Sequence, residues 1–238
     1  MPTPAIVCAC VLLATPAGAE WAVGGYLGAA HTMTNRLSVA QPAVGTDVTF
    51  ASINYFGDSY TPPVYYGYRF GYFFGGWPWL GIEAEFIHVK AYARTDAVTR
   101  VTGQHLGVPV DRDAPVQDVL ERFSISHGLN FALANLVMRR KLASSWADGR
   151  VSLVGRMGLG PTIPHPESQI SGVSHEGYEL GALGLHLSGG VDVRIWRGLG
   201  VFGEYKLTTT DQTVSVDQGQ AHGRFTSHHG VFGLGWHF

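Results

Sequence analysis

The chain has 238 residues, a formal net charge of -2 and only 14% charged residues, well below the roughly 25% usual for soluble globular domains. There is no basic excess and no run of Lys or Arg, so no nucleic-acid partner is expected. Glycine (32 residues) and aromatic residues (12%) are plentiful.

Residues 1–19 read as a signal peptide. Ala5 to Ala14 are almost wholly apolar, and Ala17-Gly18-Ala19 forms a small-residue cleavage site before Glu20. The start, Met1-Pro2-Thr3-Pro4, departs from the pattern in carrying no Lys or Arg. Cys8 and Cys10 both fall inside this leader, and neither stands at the cleavage site as a lipobox requires. The expected mature domain, residues 20–238, therefore offers no disulfide and no thiolate metal site. No later stretch approaches the roughly 18 apolar residues of a transmembrane helix.

Along the rest of the chain, period-two alternation recurs between turn residues, and sustained helical periodicity is absent. The alternation predicts strands at 20–31, 63–74, 79–93, 122–139, 150–163, 179–195, 199–210 and 223–238. The linkers alternate: Phe74 to Trp79, Arg140 to Arg150 and Ile195 to Leu199 are short, while 32–62, 94–121, 164–178 and 211–222 are long. Short periplasmic turns alternating with long outer loops is the plan of outer-membrane barrels, and an even strand count returns both ends to the periplasm.

The sixth strand shows the two faces well. Leu183, Leu185, Leu187, Val191, Val193 and Ile195 share one, and Gly184, His186, Ser188, Gly190, Asp192 and Arg194 share the other. A soluble lipocalin-like barrel would point the apolar face inward, and three features oppose that. The polar faces mix charges with Gly, Ala and Ser, which suits a narrow interior filled by its own side chains. All six tryptophans (Trp21, Trp77, Trp79, Trp146, Trp196, Trp236) fall at predicted periplasmic ends or turns, as an interfacial girdle would. The last segment, Phe232-Gly233-Leu234-Gly235-Trp236-His237-Phe238, resembles the signal read by the bacterial barrel-assembly machinery. The expected fold is all-β: an eight-stranded antiparallel up-and-down transmembrane β-barrel in the lipid bilayer of a bacterial outer membrane.

A lumen bounded by eight strands is filled by side chains, so a diffusion pore is not expected. Arg69, Glu83, Glu85, Arg156, Asp192, Arg194, Glu204 and Lys206 read as an internal ion-pair network that satisfies itself. Function then belongs to the outer loops, the rim or the lipid-facing wall near it. Nine of eleven histidines fall there: His31, His88, His105, His127, His165, His175, His222, His228 and His229, with only His186 and His237 deeper. Most read as solvated loop residues, although imidazole is also a common metal ligand and the usual acid or base near neutral pH.

Four segments near strand tops stand out: Glu83-Ala84-Glu85-Phe86-Ile87-His88-Val89-Lys90-Ala91-Tyr92, Phe123-Ser124-Ile125-Ser126-His127-Gly128-Leu129-Asn130, Gly158 to Glu167 with its Ile163-Pro164-His165, and Gly203-Glu204-Tyr205-Lys206. With Pro63, Tyr65, Tyr66 and Gly67 at the start of the second strand, they resemble, in order and spacing over about residues 60–238, a family of Gram-negative outer-membrane barrels known as lipid A oxidases. The resemblance implies lipid A, the membrane anchor of lipopolysaccharide, as partner. It also implies oxygen-dependent oxidation of the proximal glucosamine to an aminogluconate.

Such an oxidation needs a base and an acceptor for two electrons, and no dinucleotide fingerprint is present. A divalent transition metal held by imidazole and carboxylate would serve as carrier. His88, His127, His165 and Glu167 are the expected ligands. Glu85 and Lys90, with His88 and His127, are the expected proton-transfer residues, and Ser126 and Asn130 the sugar-orienting ones. Strict alternation sets His88 opposite to Glu83 and Glu85, and His127 opposite to Ser126. Either a bulge changes the register or the site lies on the lipid-facing side. A lipid A deacylase using a Ser/His/acid set ranks lower, because adjacent Ser126 and His127 should point to opposite faces. The alternative of another class is a non-enzymatic barrel for adhesion, host-factor binding or envelope integrity.

Overall fold

The computed structural model describes residues 18–142 and 149–238. The expected leader, apart from its last two positions, and the turn holding Trp146 lie outside the described residues. In chain order the strands are β1 (Glu20–Thr32), β2 (Asn35–Gln41), β3 (Thr46–Ile53), β4 (Tyr55–Phe56), β5 (Tyr66–Phe74), β6 (Trp77–His88), β7 (Ala91–Ala93), β8 (Val98–His105), β9 (Val108–Pro115), β10 (Arg122–Lys141), β11 (Val151–Ile170), β12 (Val173–Glu176), β13 (Leu183–Trp196), β14 (Leu199–Val216) and β15 (Gly219–His237). Among the described residues only two single helical turns, Pro42–Val44 and Val116–Asp118, interrupt them.

Eight strands close on themselves in the order β1-β5-β6-β10-β11-β13-β14-β15, every pair antiparallel. The seam between β1 and β15 runs without a break from Ala22 opposite His237 to Thr32 opposite Ser227. Closure matters because a bilayer core offers no water to an unpaired N–H or C=O. The outside of this ring is apolar: Leu153, Met157, Leu159, Leu183, Leu185, Leu187, Phe232 and Leu234 are all exposed. The lumen is charged. Arg69 and Arg156 both reach Glu83 and Glu204, and Lys206 bridges Glu85 and Glu204 at 2.7 Å each. A closed barrel with an apolar wall and a self-neutralised polar lumen is an outer-membrane β-barrel.

Asp192 and Arg194, expected in the same network, sit apart near the periplasmic mouth. There Asp192 faces His237 at 3.6 Å and Arg194 faces Glu20 at 3.5 Å. The described tryptophans Trp21, Trp77, Trp79, Trp196 and Trp236 all lie at this end of their strands.

The long connections correct one expectation. They are not irregular loops but carry the seven remaining strands. The upper part of β15 leaves β1 and pairs with β2, from Leu37 opposite Gly223 to Ala40 opposite Gln220. β3, β8 and β9 follow in order. Leu37, Val39, Val48, Phe50, Val101, Val214, Ala221 and Phe225 form a dry core above the charged lumen. These strands escape a window-based reading because their alternating runs are only seven or eight residues long. β10 and β11, with 20 residues each, exceed the roughly 9–11 residues that span a membrane. Their outer halves therefore rise above it.

Candidate functional site

The outer halves of β10 and β11 carry the sequence motifs. Their ladder is regular up to Leu129 opposite Pro164, then slips, and resumes at Ile125 opposite Pro166. Ser126, His127 and Gly128 thus stand against the single residue His165. Gly128 has φ +105°, a conformation that side-chain-bearing residues rarely adopt. This bulge removes the alternation that would separate Ser126 from His127, and their Oγ and Nδ1 lie 3.1 Å apart. The expectation that these neighbours cannot meet is corrected here. Two extra residues in one strand re-aim the side chains around them.

On β11, His165 and Glu167 continue the outward face of Met157, Leu159 and Ile163, so the bulge brings His127 to them on the outer wall. Nδ1 of His127 is 3.2 Å, and Nδ1 of His165 3.8 Å, from Glu167 Oε1. The Ser126 hydroxyl donates to the same oxygen. One ligand atom from each of His127, His165 and Glu167 lies within 4.8 Å of the others. The two imidazoles meet edge to face at 4.6 Å, and the Tyr178 ring meets His165 edge to face at 4.4 Å.

This donor set fits a transition-metal ion. Bonds of about 2.0–2.2 Å to N and O ligands place neighbouring donors roughly 3 Å apart. His165 Nδ1 is shielded from solvent and has no hydrogen-bond partner, which is costly for an imidazole nitrogen unless something binds it.

The remaining expected site residues divide. His88, the last residue of β6, is buried and sits beside the trio rather than in it. Its Nδ1 donates to Asn130 Oδ1 at 2.8 Å, its ring stacks on Tyr66 at 5.0 Å, and its Nε2 has no partner. Asn130 in turn donates to the Ile163 carbonyl at 3.0 Å and to the His127 and Gly128 carbonyls at 3.4 Å. It thereby ties His88 to the bulge. Lys90 is buried and donates to the Thr61 carbonyl at 2.9 Å, with Asp58 at 3.6 Å. It braces the loop before β5 and does not point at the trio.

Glu85 is not at the rim. It faces the lumen with Glu83, where Lys206, Tyr26 and Asn135 bind its carboxylate. Inward parity two positions from Glu83 places it there.

Sequence reading named Tyr66 and Tyr92 only as motif residues, with no role, and passed over Tyr178, which meets His165. Burial, with the Asp58 and Glu167 carboxylates opposite, raises the Tyr92 phenol above its ordinary value.

No protein-family model matches the chain, and no curated protein matches it. Similar solved structures are outer-membrane proteins. Neisserial surface protein A (NspA) is 8% identical, covering 92% of this chain and 97% of its own, with a TM-score of 0.40. OprG from Pseudomonas aeruginosa is 11% identical over 94% and 97%, TM-score 0.44. The outer membrane protease OmpT from Escherichia coli is 10% identical over 92% and 97%, TM-score 0.48.

Proposed function

We propose that the protein is a lipid A-modifying enzyme that oxidises the proximal glucosamine to an aminogluconate. The observation that carries this reading is the trio His127, His165 and Glu167, within 4.8 Å of one another on the outer wall, above the membrane-spanning part of β10 and β11. Two imidazoles and one carboxylate with open positions is the donor set of non-haem iron oxygenases. A metal held there would accept electrons and bring dioxygen to the sugar. The chain's own residues do the rest: the exposed His127 imidazole meets the glucosamine hydroxyls, Ser126 orients Glu167 by its hydrogen bond, and His88 and Asn130, bonded to each other, brace the bulge beneath. Oxidation of the anomeric carbon from hemiacetal to lactone releases two electrons and two protons, which reduce dioxygen to hydrogen peroxide. Water then opens the lactone to the acid.

A second reading, a lipid A deacylase, gains support from the contact of Ser126 with His127 and Glu167. Both Ser126 and Glu167, however, approach the same nitrogen, Nδ1, of His127. A nucleophile–base–acid relay needs them on opposite ring nitrogens.

Purified protein incubated under air with lipid A whose proximal anomeric hydroxyl is free, not phosphorylated, followed by mass spectrometry, tests the proposal. A net gain of one oxygen atom supports the oxidase, and loss of an acyl chain supports the deacylase. An unchanged lipid supports a non-enzymatic barrel.

A further inference from the structure

Directly below the trio, the outer wall is concave. Ala84 on β6 and Ala132 and Ala134 on β10 form the floor of a groove of about 630 Å³. Tyr68, Phe70 and Phe86 wall one side, with Tyr68 and Phe86 stacked at 5.1 Å, and Leu159, Pro161 and Leu183 wall the other. The groove lies within the apolar exterior that already faces the bilayer. Elsewhere on β11 and β13 that exterior bears protruding Leu and Met side chains. A furrow between bulky walls forfeits dispersion contacts unless something of matching width fills it.

The upper end of the groove runs into the polar site along the same faces. Phe86 is followed two residues on by His88, Ala132 is preceded by Asn130, and Pro161 leads through Ile163 to His165. At about 3.3 Å per residue, His88 stands roughly 7 Å, and His165 roughly 13 Å, above the groove's top. His88 is itself almost wholly buried and keeps Nε2 without a partner at this junction.

Resting on the proposed reading of the site, we infer that this groove seats an acyl chain of lipid A while the sugar meets the trio, where the His127 side chain is exposed. A phospholipid chain would fit the furrow alone, but its headgroup offers no sugar hydroxyls to the polar junction. The occupant is therefore an acylated glucosamine lipid.

The test reads retention, not reaction. Detergent-purified protein is mixed with lipid A or with phosphatidylethanolamine of equal chain length, and bound lipid is counted by native mass spectrometry. Wild type should retain lipid A at least tenfold better than phosphatidylethanolamine. Ala132→Phe and, separately, Ala84→Phe fill the floor and should abolish that preference. Leu187→Phe, on the outer wall away from the groove, should keep it. Because all three positions face lipid, a larger apolar side chain leaves strand pairing intact, and a heat-modifiable band checks each barrel. Equal retention of the two lipids, or unchanged lipid A retention in both alanine variants, would overturn the groove. Lipid A retained by wild type with no change of mass would support the groove while removing the oxidase reading.

Discussion

Gly128 and His88 are packed so closely that a Cβ on residue 128 would overlap the His88 imidazole and the Asn130 carboxamide oxygen. A residue of β10 thus leaves room for a residue of β6, and the gap is filled by the hydrogen bond between His88 and Asn130. The same glycine, through its positive φ, turns His127 onto the outer wall. One backbone conformation therefore positions both the buried imidazole and the exposed one.

Gly128→Ala should break this arrangement. The substitution forces a left-handed backbone onto a side-chain-bearing residue and displaces His88, a cost above about 1 kcal/mol. A barrel held by eight paired strands absorbs that cost. The variant should migrate as a folded, heat-modifiable band yet lose at least 90% of lipid A modification, read by mass spectrometry. Wild-type turnover in the variant would detach His88 and the bulge from the activity.

The metal reading separates His88 from the trio. His165→Ala and Glu167→Gln each remove a ligand, and should weaken binding by more than the roughly 10–100-fold that loss of an outer partner costs. His88→Ala should retain a single bound metal ion, because His88 bonds Asn130 and lies outside the group. Equilibrium titration with cobalt(II), followed by its visible absorption, distinguishes the two cases. Stoichiometry that falls to zero in the His88 variant would place that imidazole among the ligands.

Much of this was legible in the sequence. Alternation on β13, Leu183 to Ile195 against Gly184 to Arg194, gave both the strand and its facing, because every second residue meets lipid. The histidine-bearing motifs marked β10 and β11 as the elements of interest. What stayed hidden depends on the bulge: a two-residue slip between Ile125 and Leu129 leaves no trace in periodicity, since Ser-His-Gly reads equally well as strand or loop. Glu85 was read twice. Alternation with Glu83 placed it in the internal network, where it meets Lys206, while its motif neighbours also drew it to the rim, where it does not lie. The outer sheet was hidden because its strands are short and its pairing partners distant, as with β3 and β8, about fifty residues apart.

The lumen makes its own prediction. Lys206 is fully buried and neutralises Glu85 and Glu204 together. Lys206→Met would strand Glu85, since Glu204 keeps Arg69 and Arg156, and breaking a buried pair by removing one partner costs about 3–5 kcal/mol. The midpoint of urea unfolding in detergent should fall accordingly. Adding Glu85→Gln should recover part of the loss, because the orphaned charge is then gone. Identical midpoints for wild type and Lys206→Met would show that the remaining arginines, Arg69 and Arg156, suffice for the network.

The direction in which the barrel crosses the membrane is open to a simple labelling experiment. Leu106 lies in the turn between β8 and β9, at the far edge of the sheet that β2, β3, β8 and β9 build beyond the barrel. Gly76 lies in the tight connection between β5 and β6, next to Trp77 and at the same end as Glu20 and His237. A sheet with a dry core and charged flanks such as Arg100, Asp111 and Arg112 cannot rest in hydrocarbon, so it must project from the bilayer. Outer-membrane barrels keep short turns in the periplasm and extended segments outside. A cysteine at Leu106 should therefore react with a membrane-impermeant maleimide on intact cells, and one at Gly76 only after the outer membrane is opened. Labelling at Gly76 with none at Leu106 would invert the barrel and carry the trio, with its proposed lipid A chemistry, to the wrong leaflet.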